Sequence, residues 1–593
     1  MLRNSHNRCT CFDIKVHINW KKEIMSLRRP RVFVTHSEIP VSALQLLQEK
    51  CDVVVCPVLP VPYFEDLLQY CSDVDAILWI SALPMNTAIM DAAGPNLRAV
   101  VVMAAGYNML DVAEARRRGI KLGFTPKVNS RSVSEIAIAL LLEVTRRIPE
   151  ARDCIYKNLW TPFRPQWMMG KDIAGSTMGI VGFGAIGQAI ARRLQGFEIA
   201  RFIYCGPRKK IEGDEVGAEF VNFKDLLRQS DFIIVACPLN EDTRHLFNDE
   251  AFALMKPTAI FINIARGDIV DQKALIRALE NGTIWGAGLD VTTPEPLPVD
   301  HPIFKLKNCD KNSAIMSETK QSDARKPRVL VTHSEIPQIG ISMLQEKCDV
   351  TICPELPFPT RAQILSRVNG VDALFWSTHE AMNKEVMDAV GPNLRAVSTM
   401  SAGGCWEVGR PQWLLGKDIV NSTVGIVGLG GIGQAIAKRL KSFEISRLLY
   451  CGNNKKPEGD ALGAEFVSFE TLLRQSDFVV VSCPLNDATK FLFNDETFAL
   501  MKRSAVFVNI SRGGIVDQGA LVRALESGTI WGAGLDVTTP EPLPLDHLLH
   551  KLKNCVISPH LGSATERTRA SMAELTARNI LDALDGKDMP CSL

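Results

Sequence analysis

Short apolar runs alternate with helix-patterned stretches along most of the chain. In its first part the strand-like runs are Arg31 to Thr35, Asp52 to Cys56, Asp75 to Ile80 and Arg98 to Met103. Helical patterns lie between them, and this alternation predicts a parallel α/β sheet. After the loop Ala104-Ala105-Gly106-Tyr107-Asn108 come another helix and strand, then Ser132-Val133-Ser134-Glu135. That tetrapeptide reads as a capping box opening a helix that is apolar on most sides to Val144. Such a helix has to be buried, between domains or between subunits. From Gly179 a second α/β unit begins, with strands at Phe202 to Cys205, Phe232 to Ala236, Ala259 to Asn263 and Gly286 to Asp290.

The pattern then repeats, because the chain is a duplication. From Arg31 and Arg328 the two halves align without a gap at an offset of 297, down to GPNLRAV at Gly94 and Gly391. The match resumes with Arg164-Pro165-Gln166-Trp167 against Arg410-Pro411-Gln412-Trp413 at an offset of 246, a loss of 51 residues that takes the capped helix with it. The bridge Gly404 to Gly409 spans at most ~20 Å. The first half has the complementary defect. Its homology ends at Lys307-Asn308-Cys309, and Asp310-Lys311-Asn312-Ser313-Ala314 stands where the second half has Val556-Ile557-Ser558-Pro559-His560. An apolar strand has become a polar linker, and a histidine an alanine.

The expected division is an N-terminal extension (1–28), a substrate domain (29–128) and a dinucleotide-binding domain (129–309) lacking its last strand. A linker (310–326), a truncated second substrate domain (327–404), a second dinucleotide-binding domain (411–563) and a returning C-terminal helix (564–593) follow. The fold class is α/β, with two Rossmann-type doubly wound domains and two flavodoxin-like ones, the second truncated.

The most telling stretch occurs twice, as GIVGFGAIGQAIARRL from Gly179 and GIVGLGGIGQAIAKRL from Gly425. Each reads as a buried strand passing through a glycine turn into a helix. Gly182, Gly184, Ala185, Ile186 and Gly187 form one turn, and Gly428, Gly430, Gly431, Ile432 and Gly433 the other. Backbone N–H groups at such a turn cradle a pyrophosphate. An NAD-specific domain would place a carboxylate after the next strand. Here stand Gly206-Pro207-Arg208-Lys209-Lys210 and Gly452-Asn453-Asn454-Lys455-Lys456, cations that suit a 2′-phosphate. NADP(H) is therefore the preferred cofactor, with NAD(H) possible.

Three further positions form a constellation at the carboxyl ends of strands: Arg266 and Arg512, Glu295 and Glu541 in DVTTPEPLP, and His560 in ISPHLGSAT. Reduction of a 2-oxo acid needs a cation for the carboxylate, an acid for the carbonyl oxygen and a carboxylate that keeps the acid protonated. Arg, His and Glu fill these roles.

Composition narrows the partners. Sixty-seven basic against 66 acidic residues give a net charge of +1, which argues against nucleic acid. The most apolar run, Ile136 to Leu142, falls far short of the ~20 residues that span a bilayer. Sixteen cysteines, several in strand-like runs, suit a reducing compartment, and Cys9 and Cys11, though close together, are not expected to form a metal site. Cytoplasm is the expected location.

Both halves resemble the D-isomer-specific 2-hydroxyacid dehydrogenases, in particular the glyoxylate/hydroxypyruvate reductase branch. The motifs are GIVGxGxIGQAIAxRL, IxRGxIVDQxAL, GAGLDVTTPEPLP and KNCVISPHLGSAT. The resemblance implies NAD(P)H-dependent reduction of small 2-oxo acids, glyoxylate to glycolate and hydroxypyruvate to D-glycerate, by Arg512, Glu541 and His560, with Arg266 and Glu295 retained in the first half. It implies that Asp290 and Asp536 lie near the nicotinamide amide, and that Ala104, Ala105 and Gly106, with Ser401, Ala402 and Gly403, hold the substrate carboxylate through backbone amides. It also implies dimers, here either a homodimer or an intramolecular pairing of the two halves. Val556 to Leu593 could then serve the first half, placing His560 opposite Arg266 and Glu295. The alternatives are a corepressor-like dinucleotide-binding interaction protein and a conceptual fusion of two neighbouring gene copies.

Overall fold

The computed structural model describes residues 28–58, 62–81, 83–160, 166–295, 297–298, 300–311, 328–331, 348–354, 360–369, 371, 373–376, 386, 389, 396–399 and 416–584. The N-terminal extension, most of the linker, the bridge 404–409, the loop Ser401-Ala402-Gly403 and the last nine residues lie outside them. The chain divides into two compact units, one ending at Thr125 and one starting at Pro126.

The first unit holds a five-stranded sheet in the order Asp52–Val55, Arg31–Val34, Ala76–Trp79, Ala99–Val102, Lys121–Gly123. Every pairing is parallel. Phe33, Ile77, Trp79 and Val100 close its core against Leu67, Ile89 and Met90 of the flanking helices.

The second unit holds the two dinucleotide domains, each with seven parallel strands in matching order. In the first they run Cys309–Lys311, Gly286–Leu289, Ile260–Asn263, Phe232–Val235, Thr177–Val181, Arg201–Cys205, Ala218–Phe220. In the second they run Cys555–Ile557, Gly532–Leu535, Val506–Asn509, Phe478–Val481, Thr423–Val427, Arg447–Cys451, Glu465–Phe466. The strands Phe232–Val235, Ile260–Asn263 and Gly286–Leu289 are buried at every position, because helices cover both faces of a doubly wound sheet. A further sheet from the second half has four strands among the described residues, ordered Asp349–Ile352, Arg328–Val331, Ala373–Trp376, Ala396–Thr399. No helix of the described residues is long and apolar enough to cross a membrane.

Two expectations are corrected. The first dinucleotide domain does not lack its last strand: Cys309–Lys311 pairs with Gly286–Leu289, Ala287 opposite Cys309 and Gly288 opposite Asp310. Backbone pairing is indifferent to side-chain polarity, Cys309 supplies a buried anchor, and Asp310 meets another carboxyl. That carboxyl is Glu143, pushed up to about 9 by burial and by Asp310 beside it. The capping box does not form either. The helix starts two residues earlier and spans Ser130–Thr145, with Ser132 inside it donating to the Asn129 carbonyl at 3.1 Å. Glu135, instead of closing a cap, turns to Arg193 at 3.7 Å. Ala137, Ile138, Leu140, Leu141 and Val144 bury this helix against its own dinucleotide domain.

The two dinucleotide domains pack on each other through the helices that leave their glycine turns, Ala185–Leu194 and Gly431–Lys441. The contacts are reciprocal, as in an isologous interface. Arg193 lies over the Phe443 ring at 6.0 Å, and Arg439, its equivalent, over Phe197 at 5.7 Å. Gly196 permits the approach, since a Cβ there would meet Arg439 Cα at 2.9 Å. Lys438 pairs with Glu198 at 3.3 Å, and Arg193, 1% exposed, pairs with Glu444 at 3.4 Å. The segment after Thr145 forms a second helix, Ile148–Tyr156, and sends Ile155 and Trp160 into the core of the second domain. The two dinucleotide domains are thus paired with each other within one chain.

Candidate active site

Each cofactor turn follows from its buried strand. Thr177–Val181 and Thr423–Val427 run into Gly182 and Gly428, both at φ +95, a conformation that excludes side chains. A Cβ on Gly182 would meet the Cys237 backbone at 2.6 Å, and one on Gly428 the Cys483 backbone at 2.8 Å. Gly187 and Gly433 let the helix close on its turn, where a Cβ would lie 2.4 and 2.3 Å from the carbonyls of Gly182 and Gly428. Gly184 and Gly430, at the helix N-termini, face open space, with nothing within 4 Å of a Cβ. The turns are therefore filled on the protein side and empty on the other, where unpaired helix N–H groups favour an anion. Ala185 and Gly431 open the helices, Ile186 is half-buried, and Ile432 is 62% exposed. In the second domain the space beyond the turn is a cleft of about 940 Å³, bounded by Gly428 to Gly430, Cys451 to Asn454 and Ser482 to Pro484. That is room for a dinucleotide segment.

Sequence reasoning missed the tyrosines that fix the basic loops. Tyr204 Oη accepts from Lys210 N at 2.8 Å, and Tyr450 Oη from Lys456 N at 2.9 Å. Arg208 and Lys209 are exposed. The next helix brings acids onto the lysines, Asp214 at 3.0 Å from Lys209 and Asp460 at 2.9 Å from Lys455. The cations are present as expected, but two of them are already shared.

In the second half His560 and Glu541 pair, with the Arg512 charge nearby. Asn509, 1% exposed, ends its strand and organises the arginine loop: Nδ2 donates to the Arg512 carbonyl at 3.0 Å and Oδ1 accepts from Ser511 N at 3.1 Å. Glu541 Oε1 accepts from Thr538 N at 3.0 Å, which turns Oε2 toward His560 Nδ1 at 2.9 Å. The carboxylate raises the imidazole pKa, the hydrogen bond outweighing burial and the nearby Arg512 charge. With Nδ1 engaged, Nε2 is the nitrogen left to meet a substrate.

His560 is held in the left-handed backbone region at φ +56, which costs a residue with a side chain about 1–2 kcal/mol. Asp536 maintains it. The Asp536 carbonyl accepts from His560 N at 2.9 Å, and its carboxylate accepts from Ser558 Oγ at 2.6 Å and from the amides of Leu561 and Gly562 at 2.8 Å. Burial raises the Asp536 pKa while these donors oppose the shift.

The placing of His560 opposite Arg266 and Glu295 is corrected. Cys555–Ile557 pairs with Gly532–Leu535 of its own sheet, whose edge it completes, and so His560 meets Glu541. The first half keeps the rest of the geometry. Asn263 Nδ2 donates to the Arg266 carbonyl at 3.0 Å, and Glu295 Oε1 accepts from Thr292 N at 2.8 Å. Burial raises both Glu295 and Asp290, and among the described residues no histidine pairs with Glu295. Ala104, Ala105 and Gly106 follow the strand Ala99–Val102 in the first unit, where Thr125 N donates to the Ala104 carbonyl at 3.0 Å. The supporting residues that the sequence reading overlooked, Asn263 and Asn509, Thr292 and Thr538, Tyr204 and Tyr450, are all identical between the halves. That identity was the available signal.

Comparison with known proteins agrees. The family model for the D-isomer specific 2-hydroxyacid dehydrogenase NAD binding domain matches residues 138–310 and 386–562, and the model for the catalytic domain of that family matches 329–404. Human glyoxylate reductase/hydroxypyruvate reductase is 43% identical over 291 residues, 48% of this chain and 87% of the relative. The mouse protein of that name is 48% identical over 227 residues, 38% of this chain and 69% of the relative. Glyoxylate reductase of Thermococcus kodakarensis is 44% identical over 284 residues, 47% of this chain and 84% of the relative. On the two matches to its dinucleotide-binding model and the identity to these relatives, the chain belongs to the D-isomer-specific 2-hydroxyacid dehydrogenase family.

Proposed function

We propose that the chain reduces small 2-oxo acids, glyoxylate and hydroxypyruvate foremost, with NADPH preferred over NADH, and that the reaction runs only in the second half. The observation that carries this reading is the His560–Glu541 pair at 2.9 Å beside Arg512. The glycine turn Gly428, Gly430 and Gly433 would hold the pyrophosphate of a nicotinamide dinucleotide, which would supply a hydride to the carbonyl carbon. Arg512 binds the substrate carboxylate and orients the carbonyl. His560 Nε2 gives its proton to the carbonyl oxygen as negative charge develops there, yielding the 2-hydroxy acid, and the imidazole regains a proton from solvent. Glu541 keeps the imidazole protonated before transfer. Asp536 holds the loop that aims it. The first half has the cofactor turn, Arg266 and Glu295 but no acid, which supports dinucleotide binding there without efficient turnover.

The test is spectrophotometric. Full-length protein should oxidise NADPH on addition of glyoxylate or hydroxypyruvate, with a higher kcat/KM than with NADH. Absence of oxidation with either acceptor and either dinucleotide would overturn the reading, and faster turnover with NADH would overturn the cofactor preference alone.

A further inference from the structure

The 51 residues missing from the second half include its own counterpart of the segment that follows the helix Ser130–Thr145. The first half supplies that segment instead. Arg146, immediately after the helix, reaches across to the second domain, where its Nη2 donates to the Leu561 carbonyl and, at 3.1 Å, to the Gly562 carbonyl. These are the two residues after His560, and their amides are the ones held by Asp536 at 2.8 Å. The loop is therefore gripped on both edges, its N–H groups by its own domain and its C=O groups by the other half.

Beyond the missing stretch, where the match to the second half has resumed and Gly416 is the counterpart of Gly170, Gly170 N donates to the Ala564 carbonyl and Glu566 N to the Gly170 carbonyl, both at 3.1 Å. Met168 packs on Leu561 and Ala564. Lys171 pairs with Glu566 at 2.9 Å. A Cβ on Gly170 would lie 2.2 Å from the Thr145 carbonyl, so the segment is fitted closely to its own helix as well as to the loop. The loop needs such a grip, because His560 at φ +56 has a lower-energy backbone available at negative φ. Relaxation there would swing the imidazole off Glu541. The second half has lost its own equivalent of Arg146, so no residue of that half can replace this contact by sequence position.

We propose that Arg146 of the first half is the positioning residue for His560 of the second, so that the site at His560 is assembled from both halves of the chain. This rests on the reading of His560 as the acid in 2-oxo acid reduction. The two halves are then not independent enzymes in tandem: the half without an acid supplies the brace, and the half that has lost its brace supplies the acid.

The test uses full-length protein carrying Arg146→Met or Arg146→Lys, with two readouts. Amide hydrogen exchange of the peptide covering Ser558 to Thr565 reports loop order whether or not the protein turns over. Steady-state kinetics with NADPH and glyoxylate, beside the dinucleotide Kd, report its consequence. In Arg146→Met the loop amides should exchange about tenfold faster and kcat should fall about 10- to 100-fold, with the dinucleotide Kd within about twofold. Arg146→Lys should recover part of both, because one ammonium reaches one carbonyl. Wild-type exchange and kcat in Arg146→Met would overturn the proposal. If the wild-type protein reduces no 2-oxo acid, the functional reading has failed on its own, and unchanged loop exchange in Arg146→Met still overturns the positioning role. Peptides from Met178 to Leu194 report the fold of the first domain. If Arg146→Met loses protection there, Arg146→Lys is read in its place, and wild-type loop exchange with wild-type kcat in that variant overturns the proposal.

Discussion

Nδ1 of His560 lies 2.9 Å from Oε2 of Glu541, and the same carboxylate is fixed through its other oxygen by Thr538 N at 3.0 Å. The carboxylate holds the imidazole above its ordinary pKa, chiefly through this hydrogen bond. On the proposed reading the protonated imidazole gives up a proton in reduction, so activity should be full below the His560 pKa and be lost as pH rises through it. Glu541→Gln removes the charge and lets the pKa fall. The basic limb of the kcat/KM profile for glyoxylate reduction should therefore move to lower pH. A limb that stays in place would separate Glu541 from the titration of the acid.

Two glycine turns predict two bound dinucleotides per chain, countable by calorimetric titration of NADPH. Gly182 and Gly428 sit at φ +95 with backbone at 2.6 and 2.8 Å from where a Cβ would stand. Alanine at either position should lower the count from two to one. Gly428→Ala should also abolish turnover, because it removes the dinucleotide beside His560. A wild-type count of one would show that one of the two turns holds no dinucleotide.

The carboxyl of Glu143 is held at about 9 by burial and by Asp310, so folding favours its protonated form. The sign follows from linkage: stability from the protonated group is complete below the unfolded carboxyl range and is lost as pH rises toward 9. Glu143→Gln mimics the protonated form at every pH. Its Tm should exceed that of the wild type at pH 8 and converge on it at pH 4.5. Equal Tm values at pH 8 would mean that Glu143 and Asp310 do not share this burial.

Most of the architecture was legible in the sequence because the determinants are local and occur twice. The alternation of buried strands and helices, the glycine turns and the Arg, Glu and His positions all lie within short motifs. What escaped was decided by partners distant in sequence. Asp310 and Lys311 read as a polar linker, yet they form a strand because Gly288 and Leu289 present a free sheet edge to them. Ser132 to Glu135 satisfies a capping-box pattern, but Glu135 is drawn to Arg193 on another helix and the helix begins before the pattern does. His560 could be assigned to either half on sequence grounds. Strand pairing settled it, since Cys555–Ile557 has a sheet edge of its own in Gly532–Leu535. Arg146 gave no sign at all, because its contacts lie 415 residues away.

On the proposed reading His560 alone serves as the acid, and NADPH oxidation with glyoxylate by wild-type and His560→Gln protein at saturating dinucleotide tests it. Loss of this general acid should lower kcat by about 10²–10⁴-fold, while calorimetry still counts two bound dinucleotides per chain. Equal rates in the two proteins would contradict the claim and place the acid elsewhere.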